Sequence, residues 1–85
     1  MKYKNLATIS KDSRPATFLK LGMKSIVIKD YPRKLEAYMV LPSVNGEDSK
    51  CRLLYKRSAD RCYRSTARWA LQQMLLKDYP DAERV

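Results

Sequence analysis

Histidine is absent from this 85-residue chain, and glycine occurs only twice. The missing histidine removes the side chain that most readily moves protons near neutral pH. It also excludes any Cys–His zinc site. The two cysteines, Cys51 and Cys62, stand eleven positions apart and form no CxxC pair. Two thiols alone cannot close a tetrahedral metal site. Gly22 and Gly46 are too few for a phosphate cradle of several inward-pointing backbone amides. No Gly-x-x-x-x-Gly-Lys loop and no Gly-x-Ser-x-Gly elbow occurs.

Long apolar runs are missing as well. The longest is a handful of residues, far short of the ~20 needed to span a bilayer. The opening Met-Lys-Tyr-Lys-Asn-Leu carries cations but no apolar stretch of the signal-peptide kind. The expected setting is the cytoplasm, with no membrane partner. There the two thiols stay reduced and serve as small hydrophobic fillers.

Acid is scarce. Nine Asp and Glu face 18 Lys and Arg, for a net charge of +9 and a pI near 9.8. The acids are scattered, and no two pair at a spacing that suggests acid/base chemistry; Glu47 and Asp48 fall in a solvated turn. These absences together predict a protein that is not an enzyme and carries no catalytic residues, cofactor or metal.

What is present is a globular composition, 45% hydrophobic and 32% charged, enough for one modest core. Residues 1–85 are expected to form a single small basic α+β domain, with 1–15 and 80–85 the least readable parts. Lys11 to Pro15 reads as a loop. Residues 17–21 read as a strand, with Gly22 a bulge or turn. Residues 25–29 hold Ile26, Val27 and Ile28, whose β-branched side chains favour a second strand. Pro32 places a turn at 30–34. Residues 35–41 alternate Leu35, Ala37, Met39 and Leu41 against Glu36, Tyr38 and Val40, the period of a half-buried strand. Asn45-Gly46 is a strong turn signal that closes a hairpin onto residues 50–57. On that returning strand Cys51, Leu53 and Tyr55 share one side, and Lys50, Arg52, Leu54 and Lys56 the other.

A helix is predicted over 59–77, capped by Ser58 and stopped by Pro80. Tyr63, Ala67, Ala70, Leu71 and Met74 form its inward stripe, flanked by Thr66, Trp69 and Leu76. Tyr63 and Trp69 are assigned to the core and its edge. Residues 81–85 are read as a frayed tail. The expected architecture is an antiparallel sheet of three or four strands, covered on one face by the C-terminal helix and open on the other.

The charge is unevenly placed. Residues 50–68 hold seven cations, Lys50, Arg52, Lys56, Arg57, Arg61, Arg64 and Arg68, against one acid, Asp60. Arg61, Arg64 and Arg68 fall at i, i+3 and i+7, on one helix face. Cations near a helix start oppose the backbone dipole at about 0.3–1 kcal/mol each, and Asp60 is the acid placed to offset them. Lys50, Arg52 and Lys56 are expected on the sheet face turned away from the helix, with Lys20 and Lys29 able to join them.

Such a surface predicts phosphate contact, because the arginine fork bonds phosphate in a bidentate manner and stays charged. Counterion release would supply most of the affinity. The seven cations of residues 50–68 are therefore the predicted nucleic-acid-binding set, with DNA and RNA, single strand and duplex, all left open. The alternative is a small adaptor or inhibitor, of the type carried by phages and mobile elements, that binds an acidic surface on a larger protein. A homodimer formed through exposed sheet edges is also compatible with this sequence.

Overall fold

The computed structural model describes residues 3–60 and 63–85 of the chain. In chain order they form β1 (Lys4–Asn5), α1 (Leu6–Ile9), β2 (Ala16–Leu21), β3 (Lys24–Tyr31), β4 (Lys34–Val40), β5 (Lys50–Ser58), α2 (Arg64–Asp78) and β6 (Glu83–Arg84). The sheet is antiparallel, in the order β1-β5-β4-β3-β2-β6. The α+β class, the four central strands and the C-terminal helix match expectation. The strand count does not: six strands are present rather than three or four.

The two additional strands are two residues long, and each pairs only through tertiary contact. Lys4 lies opposite Cys51, and Glu83 lies opposite Lys20. Neither Lys4-Asn5 nor Glu83-Arg84 has a β-forming composition. The segment read as a frayed tail is thus tied to β2, with the Val85 N–H donating to the Phe18 carbonyl at 3.1 Å.

The central meander is locally encoded. Gly22 sits at φ +63° in the two-residue turn between β2 and β3. Asn45 and Gly46 both have positive φ, 54° and 76°. That pair of angles suits Asn-Gly, because both residues tolerate the left-handed region. The Glu47 N–H closes the turn on the Val44 carbonyl at 3.0 Å.

The alternation read in β4 is the alternation observed. Leu35, Ala37 and Met39 face the helix and pack with Leu19, Ile26, Ile28, Ala67, Leu71 and Leu75. Tyr38 and Val40 face the other way. That second face is not open. Leu6 and Ile9 of the N-terminal segment pack on Val27, Tyr38, Val40 and Cys51, forming a smaller core beneath the sheet. Lys29, expected on an exposed basic face, is 3% exposed, and its ammonium donates to the Ser13 carbonyl and hydroxyl in the covering loop.

A β-bulge decides the faces of β5. Tyr55 pairs with Ala37 while Leu53 pairs with Tyr38, so Leu54 is an extra residue in the ladder. Leu54 and Tyr55 both pack toward the helix. Before the bulge Arg52 lies opposite Met39, on the helix side; beyond it Lys56 lies opposite Glu36, on the far side. The expected grouping of Lys50, Arg52 and Lys56 on one face is corrected by this one inserted residue.

The helix also differs from expectation. It begins at Arg64, not 59; Ser58 ends β5 opposite Lys34 and Ala59 is buried with its N–H on the Arg33 carbonyl. Ser58 is therefore not a helix cap. Ala67, Leu71 and Leu75 form the buried stripe. Tyr63 and Trp69, assigned to the core, are 68% and 62% exposed. Apolar residues occupy several sides of this helix, so periodicity admits more than one inward face.

Candidate functional site

The helix arginines are the first residues to place. Arg64 Nη2 donates to the carbonyls of Tyr31 and Pro32, at 2.7 and 2.8 Å. Its other terminal nitrogen, Nη1, lies 3.8 Å from Asp30 Oδ1 and is buried without a hydrogen bond. Arg68 Nη2 stands 2.5 Å from the same carboxylate oxygen. Both guanidinium groups thus clamp the start of α2 onto the end of β3. The acid that offsets them is Asp30, more than thirty positions away in sequence. Asp60, the local candidate, contributes a backbone contact, its carbonyl accepting from the Tyr63 N–H at 3.1 Å. Arg61 lies outside the described residues, as does Cys62.

The strand cations divide. Lys50 donates to the Asn5 side chain at 2.6 Å, at the β1 edge. Arg52 lines a groove with Tyr3, Leu21, Lys24, Met39, Leu41 and Tyr79. Lys56 and Arg57 lie four to seven residues farther along β5, roughly 13–23 Å away at ~3.3 Å per residue. Of the six predicted residues that the structure describes, only Lys56 and Arg57 end up exposed beside one another.

At that end of the sheet they meet cations that belong to a turn. Pro32-Arg33 connects β3 to β4, with Tyr31 paired to Lys34. Lys34 pairs in turn with Ser58, and Glu36 with Lys56. Directly opposite side chains on one sheet face lie about 4.5–5.5 Å apart at Cβ, so Tyr31, Lys34, Ser58 and Lys56 form one compact group. Together with Pro32 and Arg33 they line a shallow cleft of about 410 Å³. Three of the six lining residues are cationic and none is acidic. Arg33 and Lys34 escaped the sequence reading because they sat in a turn. The signal was available: pairing 35–41 with 50–57 brings the 30–34 turn beside Lys56 and Arg57.

Polar contacts hold the cleft from behind. The Lys34 ammonium is 3.3 Å from Glu36 and 4.9 Å from the Tyr31 ring centroid. The Tyr38 hydroxyl, 1% exposed as a residue, donates to Glu36 Oε1 at 2.6 Å. Burial pushes the Glu36 carboxyl up, but the hydrogen bonds from Tyr38 and Lys34 outweigh it and hold the acid below its ordinary value. Burial and the Glu36 bond drive the Tyr38 phenol far above its ordinary value. Tyr31 is raised too, by burial and then by the charge of Glu36. At neutral pH this wall is one carboxylate balanced by lysine, with Arg33 and Lys56 free to project outward.

Among the described residues no cluster of three or more Cys, Asp or Glu side chains is placed to hold a metal ion. Cys51 is fully buried, its thiol directed at the Lys4 carbonyl and pushed up by burial, consistent with a packing role. No helix among these residues is long and apolar enough to cross a membrane. No protein-family profile matches the chain, and neither a curated protein nor a solved structure matches it significantly.

Proposed function

We propose that this chain is a small nucleic-acid-binding module that contacts the phosphate backbone through the cationic end of its sheet, with Arg33, Lys34, Lys56 and Arg57 as the contacting residues. The observation that carries this reading is the cleft in which three cations converge without an acidic lining residue. Arg33, Lys56 and Arg57 are all exposed, so their charges reach an anion without the cost of burial. The net charge of +9 draws an anionic partner from a distance. Of the original set, Arg64 and Arg68 support the interface indirectly by fixing the helix against the β3–β4 turn.

The deciding experiment is the salt dependence of oligonucleotide binding. Replacing Arg33, Lys56 and Arg57 together by alanine is expected to lower the slope of log K against log salt by about 2–3, one contribution per phosphate neutralised. An unchanged slope rejects the assignment. A second reading, binding to an acidic protein surface, is favoured by Trp69, which is 62% exposed at the outer side of α2 and has the character of an interface anchor. Binding that survives nuclease treatment and still needs Lys56 and Arg57 would select it.

A further inference from the structure

We propose that the cavity between the sheet and residues 10–15 is a binding site for a small aliphatic carboxylic acid, with the carboxylate on Arg14 and the chain on Val27 and Val40. This site stands apart from the phosphate reading. It lies on the same sheet face as the cationic cleft but shares no lining residue with it.

The fold creates the cavity by fixing the covering segment at two separated points. Ile9 is buried against Val27, Tyr38, Val40 and Cys51. Farther on, the buried Lys29 ammonium holds Ser13 through its carbonyl and hydroxyl. The chain around these anchors bridges the strands without filling the space beneath. About 470 Å³ remains there, within the range of small-molecule sites. Ser10, Arg14 and Pro15 line the covering side, while Val27 and Val40, 5% and 8% exposed, line the sheet side.

The lining is rich in donors that the fold leaves unused. Ser10, Thr17 and Ser25 contribute hydroxyls and Arg14 a guanidinium. None of these four side chains makes a hydrogen bond or ion pair with another described residue. Arg64 and Arg68, by contrast, are engaged by Tyr31, Pro32 and Asp30. Asp48 is the one acid in the lining, and its Oδ2 already accepts from the Ala7 N–H at 2.9 Å. The cavity therefore offers donors and asks for an acceptor.

A carboxylate matches this set. Its two oxygens fit the planar guanidinium fork and accept from hydroxyls as well. One negative charge then meets one arginine, whereas a phosphate dianion would bring excess charge to the neighbourhood of Asp48. Val27 and Val40, with Leu6 beside them, give an aliphatic chain an apolar wall. No aromatic ring lines the cavity, so aliphatic contact rather than ring stacking is what it supplies.

The test titrates the isotope-labelled full chain with hexanoate and follows backbone amide shifts, with acetate and hexylamine as comparison probes. Hexanoate is expected to give saturable shifts at residues 10–14, Thr17, Ser25, Val27 and Val40. It should bind at least about tenfold tighter than acetate, because each buried methylene is worth about fourfold. Arg14→Gln should weaken hexanoate by about tenfold. Arg14 is exposed and unpaired, so its replacement leaves the fold intact, and an unchanged thermal melt verifies this. Equal binding of hexylamine, or no effect of Arg14→Gln, overturns the carboxylate. Equal binding of acetate overturns the aliphatic chain. Shifts confined to Tyr31, Lys34 and Lys56 would put the anion on the cationic cleft and overturn the cavity site, leaving the phosphate reading in force. No saturable shift with any probe overturns the proposal entirely and marks the cavity as a water-filled gap. Failure of oligonucleotide binding, in turn, leaves this site untouched.

Discussion

Arg68 on α2 and Asp30 on β3 meet at 2.5 Å across 38 positions of sequence, and this ion pair reverses the meaning of the helix arginines. Viewed in sequence, cations near a helix start are a local electrostatic penalty that an external anion would relieve. In the folded chain the relief is internal. Asp30 lies beside both Arg64 and Arg68, and Arg64 further donates to two carbonyls.

The stability of arginine variants separates these two situations. If the dipole penalty ruled, Arg64→Ala would stabilise the protein by about 0.3–1 kcal/mol. The clamp predicts the opposite: Arg64→Ala should cost about 1.5–3 kcal/mol, because two charge-assisted hydrogen bonds to backbone are lost. Chemical denaturation of the variant decides the sign. A double-mutant cycle on Asp30 and Arg68, both partly exposed, should give a smaller coupling of about 0.2–1 kcal/mol.

Acid sensitivity should trace to Glu36. Its carboxyl is held below the ordinary 4.5 by Tyr38 and Lys34, despite burial. A depressed carboxylate contributes stability that is present above the unfolded value and is lost as pH falls through the folded value. Glu36→Gln should therefore lose less stability than the parent between about pH 5 and pH 3. Urea midpoints at a series of pH values give the comparison, and parallel curves for the two proteins would remove Glu36 as the source.

Helix orientation predicts a contrast between two large side chains two positions apart. Leu71 is fully buried in the main core, so Leu71→Ala should cost about 2–5 kcal/mol. Trp69 is 62% exposed, so Trp69→Ala should change stability by no more than about 0.5 kcal/mol. Thermal melts of the pair test which face of α2 is buried. The native fluorescence of Trp69, the sole tryptophan, should show solvent exposure.

The β5 bulge makes a prediction for binding. Lys50→Ala with Arg52→Ala should leave the salt slope for oligonucleotide binding nearly unchanged, whereas Lys56→Ala with Arg57→Ala should lower it by about 1.5–2. Equal effects from the two pairs would mean that the whole length of β5 contacts the ligand.

Much of the fold was legible because its signals are local. The β-branched run Ile26-Val27-Ile28, the alternation from Leu35 to Leu41 and the Asn45-Gly46 turn each act over a few residues, and each appears as read. The candidate site was legible only in part. Lys56 and Arg57 were identified from charge, but Arg33 and Lys34 join them through the β3–β4 and β4–β5 pairings, which no local pattern states. The bulge at Leu54 was invisible for a related reason. Its side chain and that of Tyr55 both suit the core, so the sequence alternation continues smoothly through a residue that the ladder skips.

By itself, then, the sequence determined the class of the protein: one basic α+β unit, without histidine, with a central meander dictated by turn chemistry and side-chain period. Tertiary structure decided the rest. It covered the second sheet face with residues 6–15, rotated α2 so that Ala67, Leu71 and Leu75 face inward, and gave Arg64 and Arg68 to Asp30 and the neighbouring turn. The physical reason is one of range. Backbone angles and hydrophobic period are set by neighbours in the chain, whereas the partner of a long charged side chain is whichever group the assembled fold brings within about 4 Å, and that distance exists only once the strands have paired.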